Sequence, residues 1–229
     1  MYVFPAHLFN PTGIKAGIAA GVVSGGTALD GDETVIQTDG GGRWQISYSG
    51  IVLRTPQMIR KWDAWTSYMP GRAFLVPLVS MLTAPRPHAG GSVARPSSIT
   101  SDDDYFPEDV RYAVPHIVAE TVGDATLRAA QLTINVTQGA RIEGGEKCSI
   151  NGRGFKIERV LSRNGQQATV IVSPPSREAI PAGSAVNFDW PVVQCRLAMG
   201  QDLTPSLAYG RRDEMAISFV EDFSTLVGG

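Results

Sequence analysis

Between residues 43 and 48 the chain alternates strictly, with Trp44, Ile46 and Tyr48 set against Arg43, Gln45 and Ser47. A period of two puts every second side chain on one face, so the pattern predicts a strand over 43–53 with one buried side. The period then changes. Ile59, Trp62, Trp65 and Met69 recur at spacings of three and four, while Arg60, Lys61 and Asp63 fall off that stripe. This is the signature of a helix lying on a core. Thr55 offers an N-cap oxygen, and Pro56 follows at the first helical position, where its missing N–H costs nothing. Pro70-Gly71 stops the helix. An apolar run from Phe74 to Leu82, interrupted by Pro77, predicts a further strand.

On the N-terminal side the signals are weaker. The first eleven residues hold Pro5, Asn10 and Pro11 and read as an extended lead-in. Residues 14–23 predict a strand weakened by two glycines. A turn at 24–26, a short strand over 33–38 and the flexible Gly40–Gly42 connection follow, with Asp39-Gly40 as a favoured hairpin dipeptide. On the C-terminal side, Pro85, Pro87, Pro96, Pro107 and Pro115 punctuate residues 84–115, which read as one long loop. Loops of that length are functional or disordered. Strands resume at Ile117. The segment 126–136 alternates as a strand, and the four segments 147–150, 155–161, 168–172 and 185–188, separated by turn residues and spaced at about ten residues, have the rhythm of a small barrel or sandwich. A strand over 192–199, a loop over 200–212 and a closing strand over 215–223, with Met215, Ile217 and Phe219 on one face, complete the chain.

Composition sharpens this picture. Gly (25) and Pro (15) are frequent, which favours short strands joined by turns over a helix bundle. A length of 229 residues suits one or two domains. Lys+Arg (20) nearly balances Asp+Glu (22), so no basic excess exists to neutralise phosphates and a dedicated nucleic-acid binder is disfavoured. No apolar run reaches the roughly 18 residues of a membrane helix. The N-terminus lacks the basic and apolar regions of a secretory signal. Two cysteines, Cys148 and Cys195, cannot make a disulfide framework and are expected as free, buried thiols.

The search for chemistry is largely negative. His7, His88 and His116 are scattered, and no metal-binding, nucleophile or phosphate-loop motif occurs. The expectation is therefore a protein without catalytic activity, cofactor or metal. Asp102-Asp103-Asp104, with Glu108 and Asp109 nearby, is the one dense carboxylate cluster. It lacks the spaced oxygens of a calcium loop and reads as a solvated acidic segment. A long acidic loop of low apolar content can order against a neighbouring subunit. On that reading Asp102, Asp103, Asp104, Glu108 and Asp109 would face Arg211 and Arg212 of the loop over 200–212, and the charges would set register.

Several stretches resemble known proteins. Gly42-Arg43-Trp44, the strand and capped helix after it, and Pro70-Gly71-Arg72-Ala73-Phe74-Leu75-Val76-Pro77 resemble the first half of tail-tip proteins of long-tailed bacteriophages. Ser173-Pro174-Pro175-Ser176-Arg177-Glu178-Ala179-Ile180-Pro181-Ala182-Gly183, leading into Phe188–Leu197, is similar to a stretch of phage minor tail or distal tail proteins. Ile217–Phe223 resembles their final strand. Residues 84–115 have no counterpart, and Ser176 stands where a leucine is expected.

The resemblance implies a mainly β chain with a tail-tube-like β-sandwich, one flanking helix and a small β-barrel-like domain. The arrangement expected from the order of the segments is discontinuous, a ring domain over 1–138, completed by 191–229, with 139–190 inserted as the small barrel. Two consecutive domains split near 138 are the alternative. The implied role is structural: a ring at the virion's tail tip, assembled in the host bacterial cytoplasm, that joins the tail tube to the baseplate hub. The implied partners are further copies of the chain, six favoured over three, together with the tail tube protein and the baseplate hub protein. No membrane or specific nucleic acid is implied. The competing expectation is a receptor- or carbohydrate-binding β module at the tail tip, which would present exposed aromatic residues on loops.

Overall fold

The computed structural model describes residues 1–19, 21–27, 30–31, 33–37, 41–79, 82–89, 92–93, 95, 97–205 and 214–224. The fold is mainly β. In chain order the elements are α1 (Ala6–Phe9), β1 (Gly13–Ala19), β2 (Val22–Thr27), β3 (Glu33–Gln37), β4 (Arg43–Val52), α2 (Pro56–Tyr68) and β5 (Phe74–Pro77). Short strands β6 (His88–Ala89), β7 (Ser92–Val93), β8 (Ile99–Ser101) and β9 (Val110–Tyr112) follow. Then come β10 (Val118–Thr121), β11 (Gln131–Gln138), β12 (Lys147–Ile150), β13 (Arg153–Asn164), β14 (Gln167–Ser173), β15 (Val192–Leu197) and β16 (Glu214–Glu221).

Five strands form the first sheet in the order β1-β4-β16-β15-β5, antiparallel throughout. Its central strand is β16, and beside it lies β4, whose alternation buries Trp44, Ile46 and Tyr48 as the period of two predicts. Helix α2 packs its stripe on this face, with Trp62, Trp65 and Met69 fully buried beside Phe4, Phe74 and Phe219. The Thr55 hydroxyl accepts the Met58 N–H at 3.2 Å and caps the helix. The indole N–H of Trp62 finds the Leu203 carbonyl at 2.9 Å, so a large aromatic is buried without an orphaned donor. The N-terminal residues line the outer edge of β5, through a Val3–Leu75 bridge and the Phe4 N–H on the Leu75 carbonyl. The opposite edge of the sheet is β1.

The second sheet has the order β10-β11-β14-β13-β12 and curls as a half-barrel around Ile134, Phe155, Ile157, Val170 and Phe188. Segment 184–187 spans its two edges. Ala185 bridges Glu120 of β10, and Asn187 bridges Ser149 of β12. The sheet thereby approaches closure, which removes exposed edges.

Several expectations are corrected. The lead-in contains a helical turn, α1, whose Phe9 fills the first core. Residues 14–23 are split between β1 and β2, because the chain leaves the first sheet for a separate hairpin. The strand from Phe74 ends at Pro77. Residues 185–188 make isolated bridges, since they cross between two sheet edges instead of lying along one. The second sheet draws β10 and β11 from before residue 138, because β11 pairs with β14; the boundary expected at 138/139 follows directly on β11. Residues 84–115 carry β6 to β9, and their aromatic residues pack on the chain itself: Phe106 lies 5.2 Å from Trp65 and 5.4 Å from Tyr2, ring centre to ring centre.

Candidate functional site

The acidic run lies on the connection between β8 and β9 and is engaged within the chain. Asp103 Oδ1 accepts the N–H groups of Tyr105 and Phe106 at 2.6 and 2.7 Å. Asp102 Oδ1 accepts those of Glu108 and Asp109 at 3.0 and 3.1 Å. Asp109 pairs with Arg111 at 3.1 Å, Asp104 lies 3.8 Å from Lys61 of α2, and Glu108 is 4.0 Å from the terminal amine. The two amide bonds pull the Asp103 carboxyl below its ordinary value. These groups shape their own loop and lean it on α2. Arg211 and Arg212 lie outside the described residues.

A second polar cluster locks the half-barrel to the first sheet. Arg153 is almost wholly buried and donates to the carbonyls of Asp222 and Ser224 at 2.7 and 2.8 Å. Arg177 donates to the Gly42 carbonyl, lies 3.5 Å from Glu221 and stacks on Phe223. Glu221 also accepts the Trp44 N–H at 2.9 Å. Burial raises the Glu221 pKa despite these donors. The Trp44 indole in turn donates to the Gly154 carbonyl at 2.8 Å, so one tryptophan joins both units.

Beside this junction the units diverge into a cleft of about 570 Å³. Trp44 lies at its floor, Ala16 to Ile18 of β1 form one wall, and Lys147 and Lys156 stand on the other. These lysines are directly opposite each other in the β12–β13 register. Lys147 Nζ donates to the Ala16 carbonyl at 2.8 Å and lies 5.9 Å from the Trp44 ring centre. Burial, then the neighbouring Lys156 charge, lowers its pKa.

Gly21 and Gly41, which flank the β2–β3 hairpin in the chain, also line this cleft. Among the described residues the hairpin pairs with no third strand. Val35 and Ile36 on it are 61% and 54% exposed. Two adjacent apolar residues left in water on a lone hairpin are unusual, because such a hairpin is marginally stable unless something packs on it. The sequence contained the Val35-Ile36 pair as a signal. The two lysines could be brought together only by the β12–β13 register.

The reactive side chains are otherwise enclosed. Cys148 and Cys195 are buried free thiols, and burial raises both pKa values well above the ordinary thiol range. Burial, then Lys61, lowers the pKa of His7, and His116 Nε2 accepts the Ser97 N–H at 2.9 Å. No protein-family model matches this sequence, and no curated protein matches it either.

Proposed function

We propose that this chain is a structural ring subunit of the tail tip of a long-tailed bacteriophage, placed between the tail tube and the baseplate hub. The observation that carries the reading is the β2–β3 hairpin. It forms a two-stranded sheet of its own, with exposed Val35 and Ile36 and with its outer edges unpaired among the described residues. A strand edge of this kind is a template for pairing with another chain. The stretches that resemble tail-tip proteins support the same reading, because they include strand β4, which follows the hairpin in the chain, and helix α2. Hairpin donation from each copy to the next is a head-to-tail contact, and such contacts make rings when the rotation closes. Six copies are favoured, with three as the alternative.

The carbohydrate-binding reading has less support. Trp44, Trp62, Trp65 and Trp190 are all buried, so none offers its face to a sugar. The test of the ring reading is the mass of the purified chain by light scattering, together with its copy number in isolated particles. Replacing residues 22–37 by a short turn should reduce a closed oligomer to monomer. An intact chain that stays monomeric in both settings, or an oligomer that survives the replacement, removes the reading.

A further inference from the structure

The cleft that holds Lys147 and Lys156 carries a third donor in line with them. Lys147 pairs with Lys156 across β12 and β13, and Lys156 pairs with Ser173 across β13 and β14. Partners in register lie on one face of a sheet, and adjacent strands are about 4.8 Å apart. The neighbours Cys148, Phe155, Ile157 and Val172 are buried in the half-barrel core, so the alternation turns the other face outward. Two ammonium groups and a hydroxyl therefore stand in a row on that outer face, and all three residues line the cleft.

The row is built at a cost. Like charges directly opposite on neighbouring strands destabilise a sheet. Burial, then the Lys156 charge, holds the Lys147 pKa below its ordinary value. Among the described residues, no carboxylate lies within 4.0 Å of either ammonium, and Glu158 is the one acidic residue that lines the cleft. Lys147 gives one of its three donors to the Ala16 carbonyl, which holds the ammonium across the cleft and leaves two N–H groups for another acceptor.

The opposite wall carries an independent sign. Gly17 lies inside β1, yet among the described residues nothing comes within 4 Å of the place a Cβ would take, and its φ is outside the left-handed region. Neither packing nor backbone conformation calls for glycine there. A glycine inside a strand weakens it and marks a place where a ligand or another backbone approaches closely. The cleft, about 570 Å³, has the size of a small-molecule site and exceeds what a lone oxyanion needs.

We propose that this cleft binds a small phosphate ester, with the phosphoryl oxygens on Lys147, Lys156 and Ser173 and the organic body against Gly17 of β1. A phosphate monoester offers three terminal oxygens to the three side chains, and its charge sits between ammonium groups that otherwise repel. A carboxylate has two oxygens and leaves one donor over. The proposal does not rest on the ring reading.

The test is isothermal titration of the full-length chain with glycerol phosphate, inorganic phosphate, succinate and glycerol, with circular dichroism to check that each variant folds. Glycerol phosphate should bind once per chain and more tightly than inorganic phosphate or succinate, and glycerol should not bind. Lys147→Gln with Lys156→Gln should weaken the ester at least about tenfold, the loss expected on removing charge-assisted hydrogen bonds. Gly17→Val suits a strand and leaves every charge in place. It should weaken the ester and leave inorganic phosphate unchanged, because the new side chain takes the space of the organic body. The assignment is overturned by an absence of saturable binding up to about 10 mM ester, or by equal affinity for ester and inorganic phosphate. Undiminished ester binding in either folded variant overturns it too, as does tighter binding of succinate, the mark of a carboxylate site.

Discussion

Asp103 shows what an acidic run does when its side chains turn back on the chain. Its carboxylate satisfies two consecutive backbone donors, a local pattern that fixes a loop without any core. The folded-state pKa lies below the ordinary 3.8. The charge therefore adds stability above pH 3.8, and that contribution is lost as the pH falls through the depressed value. Asp103→Ala should speed hydrogen exchange at the Tyr105 and Phe106 amides. Asp103→Asn should keep part of the protection, because its carbonyl still accepts, and should lose the wild type's dependence on acid. Equal exchange in all three proteins would show that the cap is idle. The residue scale is also where sequence reading was most uneven. Trp62 and Trp65 were legible as core because helical spacing alone put them on one face. The partners of Asp102 to Asp109 were not, because a carboxylate in a loop has the same appearance in sequence whether it faces water, a neighbour or its own backbone. Ser176, out of place against a leucine expectation, is buried, and its hydroxyl donates to the Glu178 carbonyl within the same turn.

Elements were legible where the hydrophobic period was long and flanked by stop signals. Strand β4 and helix α2 satisfy both conditions, and Thr55 and Pro56 stand at the predicted helix start. Trp62→Ala should cost about 3–5 kcal/mol, the usual range for truncating a buried aromatic. A loss below about 0.5 kcal/mol in chemical denaturation, a surface-change magnitude, would remove the stripe from the core. The segment 84–115 was illegible for the opposite reason. Its strands are two or three residues long, too short to show a period. Its second half is held by aromatic contacts: Phe106 sits against Tyr2, Trp65 and Tyr68, the Trp65 indole donates to the Tyr105 carbonyl at 2.6 Å, and Tyr112 packs on Trp190. Phe106 is half-buried, so Phe106→Ala should cost about 1–3 kcal/mol. It should also raise exchange in both β8 and β9, because the contact anchors their connection. Destabilisation without local exchange would place the contact's effect elsewhere.

At the scale of the whole molecule, the chain enters the half-barrel after β5 and returns through β15 to finish the first sheet. The closing strand itself was legible, because Met215, Ile217 and Phe219 alternate onto one face. The bond between the units was not, because it depends on isolated residues far apart in sequence. Arg153 reaches from β13 to the carbonyls of Asp222 and Ser224, just beyond β16, while Trp44 reaches from β4 to Gly154. The geometry at Gly154 is tight, since a Cβ there would meet Val193 and the Trp44 indole. Two units joined by buried hydrogen bonds and by backbone contact should melt together, so calorimetry on the intact chain should give one transition whose van't Hoff and calorimetric enthalpies agree. Arg153→Met keeps much of the side-chain volume and removes the donors. It strands the Asp222 carbonyl, leaves the Ser224 carbonyl to the Gln194 amide at 3.0 Å, and leaves Glu178 without the guanidinium 3.9 Å away. An uncompensated buried acceptor costs about 1–3 kcal/mol, and this cost falls on the junction while both cores stay intact. The variant should therefore lose cooperativity as well as stability, with the transition broadening or splitting in two. A melt that shifts to lower temperature yet remains a single two-state transition would show that backbone contact around Gly154 suffices to couple the units, and that Arg153 contributes stability without carrying the coupling.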